Sequence, residues 1–398
     1  MRLSSQLKFC LDTGFAAVFG AAPQRYFSAP GRTEIGGNHT EHQRGRVLAA
    51  AVNLDTVAAV AANGTNTIRV QSEGYPLCQI DLGNLSIAKE EVNSTAALVR
   101  GIAARFTQLG YRIGGFDAYC RSTVLPGSGL SSSAAFEVLM GTILNHLFCG
   151  SRVSAPQVAQ IGQYAENVYF GKPCGLMDQT ASAVGNLVSI DFADPANPLI
   201  HPVAFDFSAC GHTLCIIDTH ASHADLTDEY AAIPVEMAQV CRHFGKDVLS
   251  QIPAEHFWAE LPRLRQSCSH RALLRAIHFF QENDRVPMQV DALEQGDFSR
   301  FLQLVGESGR SSYCLLQNVI PTGATAGQDV ALALALCEQL LQGSGACRVH
   351  GGGFAGTVQA FVPNHLLDAF RQGIDAVLGC GACLVLQIRP EGGIELTP

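Results

Sequence analysis

The sequence predicts an α+β protein in two lobes. Three observations carry that expectation. The chain has 398 residues, more than one ordinary core organises. Strand-like and helix-like stretches mix without strict βαβ alternation. Asp194-Pro195-Ala196-Asn197-Pro198 breaks the pattern and sets a division into residues 1–195 and 196–398. Hydrophobic residues at 47% against 15% charged supply a large core and exclude a disordered chain.

The elements follow in order. Leu48 to Val60 is apolar and reads as a strand, Asn63-Gly64 offers a type I′ turn, and Thr67 to Val70 reads as the returning strand of a hairpin. Ser94 or Thr95 can cap a helix carrying Leu98, Ile102, Phe106 and Leu109 on one face. Phe116 to Leu125 alternates as a strand and runs into Pro126-Gly127-Ser128-Gly129. A helix follows, with Val138, Leu139, Ile143 and Leu147 at helical spacing. Asn186–Phe192, Leu199–Phe207 and Thr213–Asp218 read as strands, the middle of the second half as helices, and Thr357–Val362 and Leu384–Ile388 as closing strands.

Charge and cysteine usage bound the partners. The net charge is −9 and no run of Lys or Arg marks a polyanion-binding patch, so nucleic acid is not an expected partner. Met1 to Lys8 is not followed by a long apolar run, so neither a signal peptide nor a membrane span is expected. The fourteen cysteines are scattered, and Cys380 and Cys383 form a lone C-x-x-C without a second pair for zinc. Reduced thiols in a cytoplasmic protein are the expectation.

Four segments carry chemistry. Leu125 to Ala134, with Gly127, Gly129, Ser131, Ser132 and Ser133, lies between a strand and a helix. Its glycines let backbone N–H groups approach an anion, and the helix aims its positive end there. It lacks the G-K-[ST] ending of a Walker A loop, and a plain tight turn is the alternative. Gly171 to Gln179 places Asp178 after a glycine-containing turn, as a general base or as a cap. Glu166, twelve residues upstream of Asp178, sits in a helical pattern and suits Mg²⁺ or a solvated face. Ala29 to His42 packs polar side chains beside three glycines, suited to a polyhydroxylated ligand or to a surface loop. Val349 to Gly356 is a glycine cluster beside a strand, a close backbone approach or a bulge.

In this order the four segments resemble the GHMP small-molecule kinases, and most nearly the galactokinases. That family reads close to G-R-V-N-L-I-G-E-H-T-D-Y-N-G-G, then P-x-G-x-G-L-S-S-S-A, then C-G-x-M-D-Q, then G-x-G-F-G-G. Phe15, Phe19-Gly20 and Pro23 fit its lead-in loosely, and Ser222-His223, Leu226 and Tyr230 resemble its mid-chain stretch. The resemblance implies a ribosomal-S5-like N-terminal half, a GHMP C-terminal half and a site between them. It implies transfer of the γ-phosphoryl group of ATP to the anomeric hydroxyl of galactose, with Mg²⁺. By the same resemblance Asp178 is the catalytic base and Arg32 its neighbour at the transferring group. Ser133 and Glu166 fall on the metal side. Pro126, Gly127, Ser128, Gly129, Leu130, Ser131, Ser132 and Ser133 form the ATP loop. Arg32, Asn38, His39, Glu41, Asp178 and Tyr230 contact the sugar.

The sugar-reading half departs from the family pattern. The family's Glu at the C6 end of the sugar is Asn38, its Asp is Glu41, its following Tyr is His42, and the N of G-R-V-N is Glu34. The first G of its closing G-G is Arg44. Loss of the acid at position 38 admits a uronic acid such as galacturonate as an alternative substrate. A non-catalytic sugar sensor on the same fold is a third reading, against which stand Asp178, Arg32 and the serine run.

Overall fold

Two sheets, one of eight strands and one of four, organise the described residues. The computed structural model describes residues 2–124, 129–221 and 226–398. Its strands are β1 Arg25–Gly36, β2 Arg46–Ala62, β3 Thr67–Ser72, β4 Cys78–Asp81, β5 Phe116–Ser122, β6 Leu187–Asp191, β7 Leu199–Val203, β8 His212–Asp218, β9 Ala346–His350, β10 Thr357–Pro363, β11 Cys383–Leu386 and β12 Ile394–Leu396. Its α-helices are α1 Ser5–Phe19, α2 Thr95–Gln108, α3 Ser132–Phe148, α4 Ala155–Tyr164, α5 Met177–Val184, α6 Thr227–His243, α7 Ala254–Ser267, α8 His270–Glu294, α9 Phe298–Ser311, α10 Asp329–Leu341 and α11 Leu367–Leu378.

The larger sheet runs β12-β1-β2-β5-β3-β4, with β6 on the first half of β2 and β7 on β6. Period-two alternation sorts its side chains. Ala58 and Val60 of β2 join Phe27 and Ala29 of β1 in the core under α2, α3 and α4. Val57 and Ala59 face the other way and pack with Leu11 and Phe15 of α1. Ser94 caps α2, its hydroxyl accepting from the Ala97 N–H at 3.3 Å.

The smaller sheet runs β11-β8-β10-β9, all antiparallel. Leu214 and Ile216 of β8 face a core shared with α8, α9 and Leu48, Ala50 and Val52 of β2. Cys215 and Ile217 face the core under α10 and α11. All fourteen cysteines are free thiols.

Two expectations change. Asn63-Gly64 does turn the chain, with Asn63 Oδ1 accepting from the Thr65 N–H at 3.0 Å. It does not close a hairpin, because β5 lies between β2 and β3, antiparallel to one and parallel to the other. The division at residue 195 falls between β6 and β7, which pair throughout, and β12 returns from the C-terminus to β1. The larger sheet therefore draws on both segments.

Candidate active site

Arg32 and Asp178 meet across 146 residues of sequence. A register shift between Pro30 and Arg32 bulges β1 and re-aims Arg32. Gly31 permits the close approach of the loop before α3, and the Arg32 N–H donates to the Leu130 carbonyl at 3.0 Å. Asp178 lies in the first turn of α5, where the helix field favours an anion. Arg32 Nε and Nη2 donate to its two oxygens at 2.6 and 2.7 Å, a bidentate pair. Ser131, in the left-handed conformation at φ 57°, donates its hydroxyl to Asp178 Oδ2. Burial pushes the Asp178 pKa up, but the Arg32 guanidinium and the Ser131 hydroxyl outweigh it and hold the carboxyl below its ordinary value.

Beside this pair lies a cavity of about 690 Å³, whose walls include Arg32, Glu34, His39, Glu41, His42 and Tyr230. A larger groove of about 1090 Å³ between α9 and α10 contains none of these side chains. Gln43 donates to His42 Nδ1 at 3.3 Å, His42 Nε2 faces His39 Nδ1 at 3.3 Å, and His39 Nε2 faces the Gly352 carbonyl at 3.0 Å. Only one proton arrangement satisfies all three contacts, with both rings neutral and protonated on Nε2. Tyr230 donates its hydroxyl to the Gly353 carbonyl at 2.8 Å and packs edge-on against Phe354.

Glu41 accepts through Oε1 from the N–H groups of Leu176 and Met177, capping the helix that bears Asp178. Gly175 allows this, since a Cβ there would overlap the Glu41 carboxylate. Burial, joined by the charge of Asp178, raises the Glu41 pKa to about 7. If Glu41 reads sugar hydroxyls as a carboxylate, kcat/KM for the sugar falls about tenfold for one pH unit below that value. Glu41→Gln should remove this slope between pH 6 and 8, leaving any titration from ATP or Mg²⁺. A pH profile unchanged in the variant would show that Glu41 is not the titrating group.

Asn38 does not reach the cavity. It is fully buried. Its two amide hydrogens go to Glu34 Oε1 at 3.0 Å and the Gly351 carbonyl at 2.7 Å. Its oxygen accepts from Ser312 at 3.2 Å and Asn318 at 2.9 Å. Every polar site of the amide is thus occupied by protein, which corrects the expectation that it contacts the sugar.

Of the expected ATP loop, Pro126, Gly127 and Ser128 lie outside the described residues, as do Ser222 and His223. Gly129 offers its carbonyl to Arg32 Nη1, and the Leu130 side chain is buried in the core. Ser132 and Ser133 open α3, whose first-turn N–H groups have no partner within the helix. They also wall a second cavity of about 310 Å³ with Thr56, Ser72, Tyr75 and Phe136. Glu166 sits in a π-helical turn, Ala165–Phe170, directly after α4. Gln179 Nε2 donates at 3.0 Å to both Glu166 Oε2 and Glu137 Oε2. Glu137 Oε1 is buried without a donor among the described residues.

Sequence reasoning missed the layer behind the cavity. Arg348, fully buried on β9, donates to Glu34 Oε1 at 2.5 Å and to the Ile35 carbonyl at 2.9 Å. Gln359 of β10 donates to the Glu34 carbonyl at 2.9 Å. His350 Nε2 accepts from the Glu34 N–H at 3.2 Å, which leaves its Nδ1–H for Thr357 at 2.9 Å. The one available signal was that Glu34 departs from the family motif.

Comparison with known proteins decides the family. Residues 13–62 match the galactokinase galactose-binding signature and residues 97–186 the GHMP kinases N-terminal domain. A galactokinase of Streptomyces coelicolor is 31% identical over 383 residues, 95% of this chain and 96% of that one. The chain belongs to the galactokinase family of GHMP kinases. Among solved structures, the galactokinase of Lactococcus lactis complexed with galactose superposes with a TM-score of 0.82 at 24% identity, covering 98% of this chain and 99% of that one. The mevalonate kinase of Methanococcus jannaschii reaches 0.66 at 11% identity over 92% of this chain and 99% of its own. These likenesses establish the GHMP fold. As a galactokinase-family member the protein is an ATP-dependent sugar kinase. No helix among its described residues is long and apolar enough to cross a membrane.

Proposed function

We propose that the protein transfers the γ-phosphoryl group of ATP to the anomeric hydroxyl of galactose, giving ADP and galactose 1-phosphate. The observation that carries this reading is the Arg32–Asp178–Ser131 cluster, which lies between a polar cavity and the N-terminus of α3. The cavity takes the sugar, and the hydroxyl-lined cavity at α3 takes the nucleoside. The N–H groups that open α3 and the adjoining loop hold the phosphates.

Phosphoryl transfer passes through a loose transition state, so positioning and charge stabilisation dominate. Asp178 orients the anomeric hydroxyl and takes its proton late, when the oxygen has become acidic. A carboxylate with a depressed pKa suffices for that role. Arg32 holds Asp178 and places positive charge beside the transferring group.

The donor set around Glu166 fits a divalent cation. Two buried carboxylates share one amide donor, and an orphaned oxygen of Glu137 adds unspent acceptor capacity. Mg²⁺ keeps most of its waters and needs few protein ligands, so Ser133 and Glu166 would suffice. Bound there, the ion would neutralise charge between the β- and γ-phosphates. Ser133→Ala and Glu166→Ala should each raise the Mg²⁺ concentration for half-maximal rate by about tenfold or more. Unchanged metal dependence in both variants would place the metal elsewhere.

The deciding experiment is ADP release with ATP, Mg²⁺ and a panel of aldoses and uronic acids. Galactose should give the highest kcat/KM. Preference for galacturonate would favour the uronate reading, and turnover of no sugar would favour the sensor.

A further inference from the structure

Glu34 stands out among the groups not yet given a task. It is buried, with its side chain 6% exposed, yet it forms part of the sugar cavity wall. Its Oε1 is fully engaged, by Asn38 at 3.0 Å and Arg348 at 2.5 Å. Its Oε2 accepts no hydrogen bond from any described residue, and it is not sealed from solvent in the way the orphaned core atoms are. A carboxylate held by one oxygen leaves the other as a fixed acceptor.

The motif departures gain a physical meaning here. The resembling family has Asn where Glu34 stands and Glu where Asn38 stands. In this chain the two residue types have exchanged places, and the structure puts their side chains in direct hydrogen-bond contact. The exchange therefore shifts a carboxylate by about one hydrogen-bond length and does not remove it from the site. Asn38, with its amide fully occupied, positions Glu34.

We propose that Glu34 is a specificity-determining residue of the sugar site, its Oε2 accepting one hydroxyl of the bound hexose and its charge excluding sugars that carry a carboxylate. The inference rests on the galactose kinase reading above. Burial raises the Glu34 pKa above its ordinary value, and Arg348 and Arg32 oppose that rise, so the repulsion of a carboxylate belongs to pH values above the raised pKa. A carboxylate ligand brought within about 4 Å would be strongly repelled at an effective dielectric near 20. The chain then discriminates against galacturonate although position 38 is neutral.

The alternative is that Glu34 serves only as the counter-ion of Arg348. Substrate analogues separate the two. The measurement is kcat/KM for galactose, its four mono-deoxy derivatives and galacturonate, with wild type and Glu34→Gln. In wild type one deoxy analogue should lose about a hundredfold or more, because a buried acceptor is left unpaired. In Glu34→Gln the penalty for that same analogue should shrink at least tenfold while the others keep theirs, and galacturonate discrimination should fall. Analogue ratios identical in wild type and variant would overturn the proposal, since a counter-ion role lowers all substrates alike. If Glu34→Gln shows no cooperative unfolding transition, Glu34→Asp takes its place. That variant keeps the charge and the Arg348 pair but withdraws the acceptor. It should relieve the same deoxy penalty and still reject galacturonate, and unchanged deoxy penalties would again overturn the proposal. Wild-type turnover of galactose tests the kinase reading, whereas only the ratios between analogues test this one.

Discussion

Asp178→Asn should lower kcat by about 10²–10⁴-fold while leaving ATP affinity within about a factor of two. The amide cannot take the anomeric proton, and it removes the charge that organises three groups. Arg32 loses a bidentate partner, the Ser131 hydroxyl loses its acceptor, and Glu41 loses the neighbouring charge that helps raise its pKa. Arg32 is 9% exposed, so it is left nearly buried without its counter-charge and the melting temperature should fall as well. Rates therefore belong at a temperature well below both transitions. Ser131→Ala is the control. It removes one hydrogen bond to Asp178 but keeps the ion pair, and should cost far less in kcat. Near-normal kcat in Asp178→Asn would remove Asp178 from the chemistry. An equal loss in Ser131→Ala would move the decisive role to the serine.

That cluster also shows what a sequence can and cannot reveal. Arg32, Ser131 and Asp178 each lie in a segment legible by its glycines and polar density, but the pairing spans 146 residues between Arg32 and Asp178. Local spacing carries no information about such a contact. The same limit explains Asn38. In sequence it is the neighbour of His39, which does wall the cavity, and adjacency invites the same role. Besides Glu34, its partners are Ser312, Asn318 and Gly351, contributed from 274 to 313 residues away, and they turn the amide inward.

Elements governed by local rules were readable. The Ser94 cap and the face of Leu98, Ile102 and Phe106 specify α2 wherever it packs. The alternation in β8 specifies a strand with two buried faces. The hairpin failed for a non-local reason. Asn63-Gly64 turns the chain as its chemistry directs, but β5 pairs in parallel with β3 from Arg69–Asp117 onward and takes the edge of β2. Turn chemistry sets direction locally, and the pairing partner is chosen by packing under α2 and α3.

The buried pair behind the proposed sugar cavity has the largest expected effect on stability. Arg348 is fully buried and Glu34 nearly so, and the two lie on strands of different sheets, β9 and β1. Arg348→Met should cost about 3–5 kcal/mol, because Glu34 is left as a buried carboxyl without its nearest counter-charge, pushed further toward its neutral form, and the Ile35 carbonyl loses a donor. Most of that cost comes from the stranded carboxylate and not from the lost pair. Adding Glu34→Gln to Arg348→Met should therefore recover stability, with a coupling of about 0.5–3 kcal/mol by a double-mutant cycle. The recovery should not extend to catalysis, since Asn38 draws the Gln carbonyl and the double variant turns an amide NH2, not a carboxylate oxygen, to the cavity wall. Urea unfolding of the four proteins reads the first quantity, and kcat/KM for galactose reads the second. A cost below about 1 kcal/mol for Arg348→Met would mean that the pair is hydrated. Strict additivity would mean that Glu34 does not depend on Arg348 for its charge. A double variant that regains both stability and galactose turnover would show that the carboxylate is kept for folding alone. That result would contradict a direct reading of the sugar by Glu34.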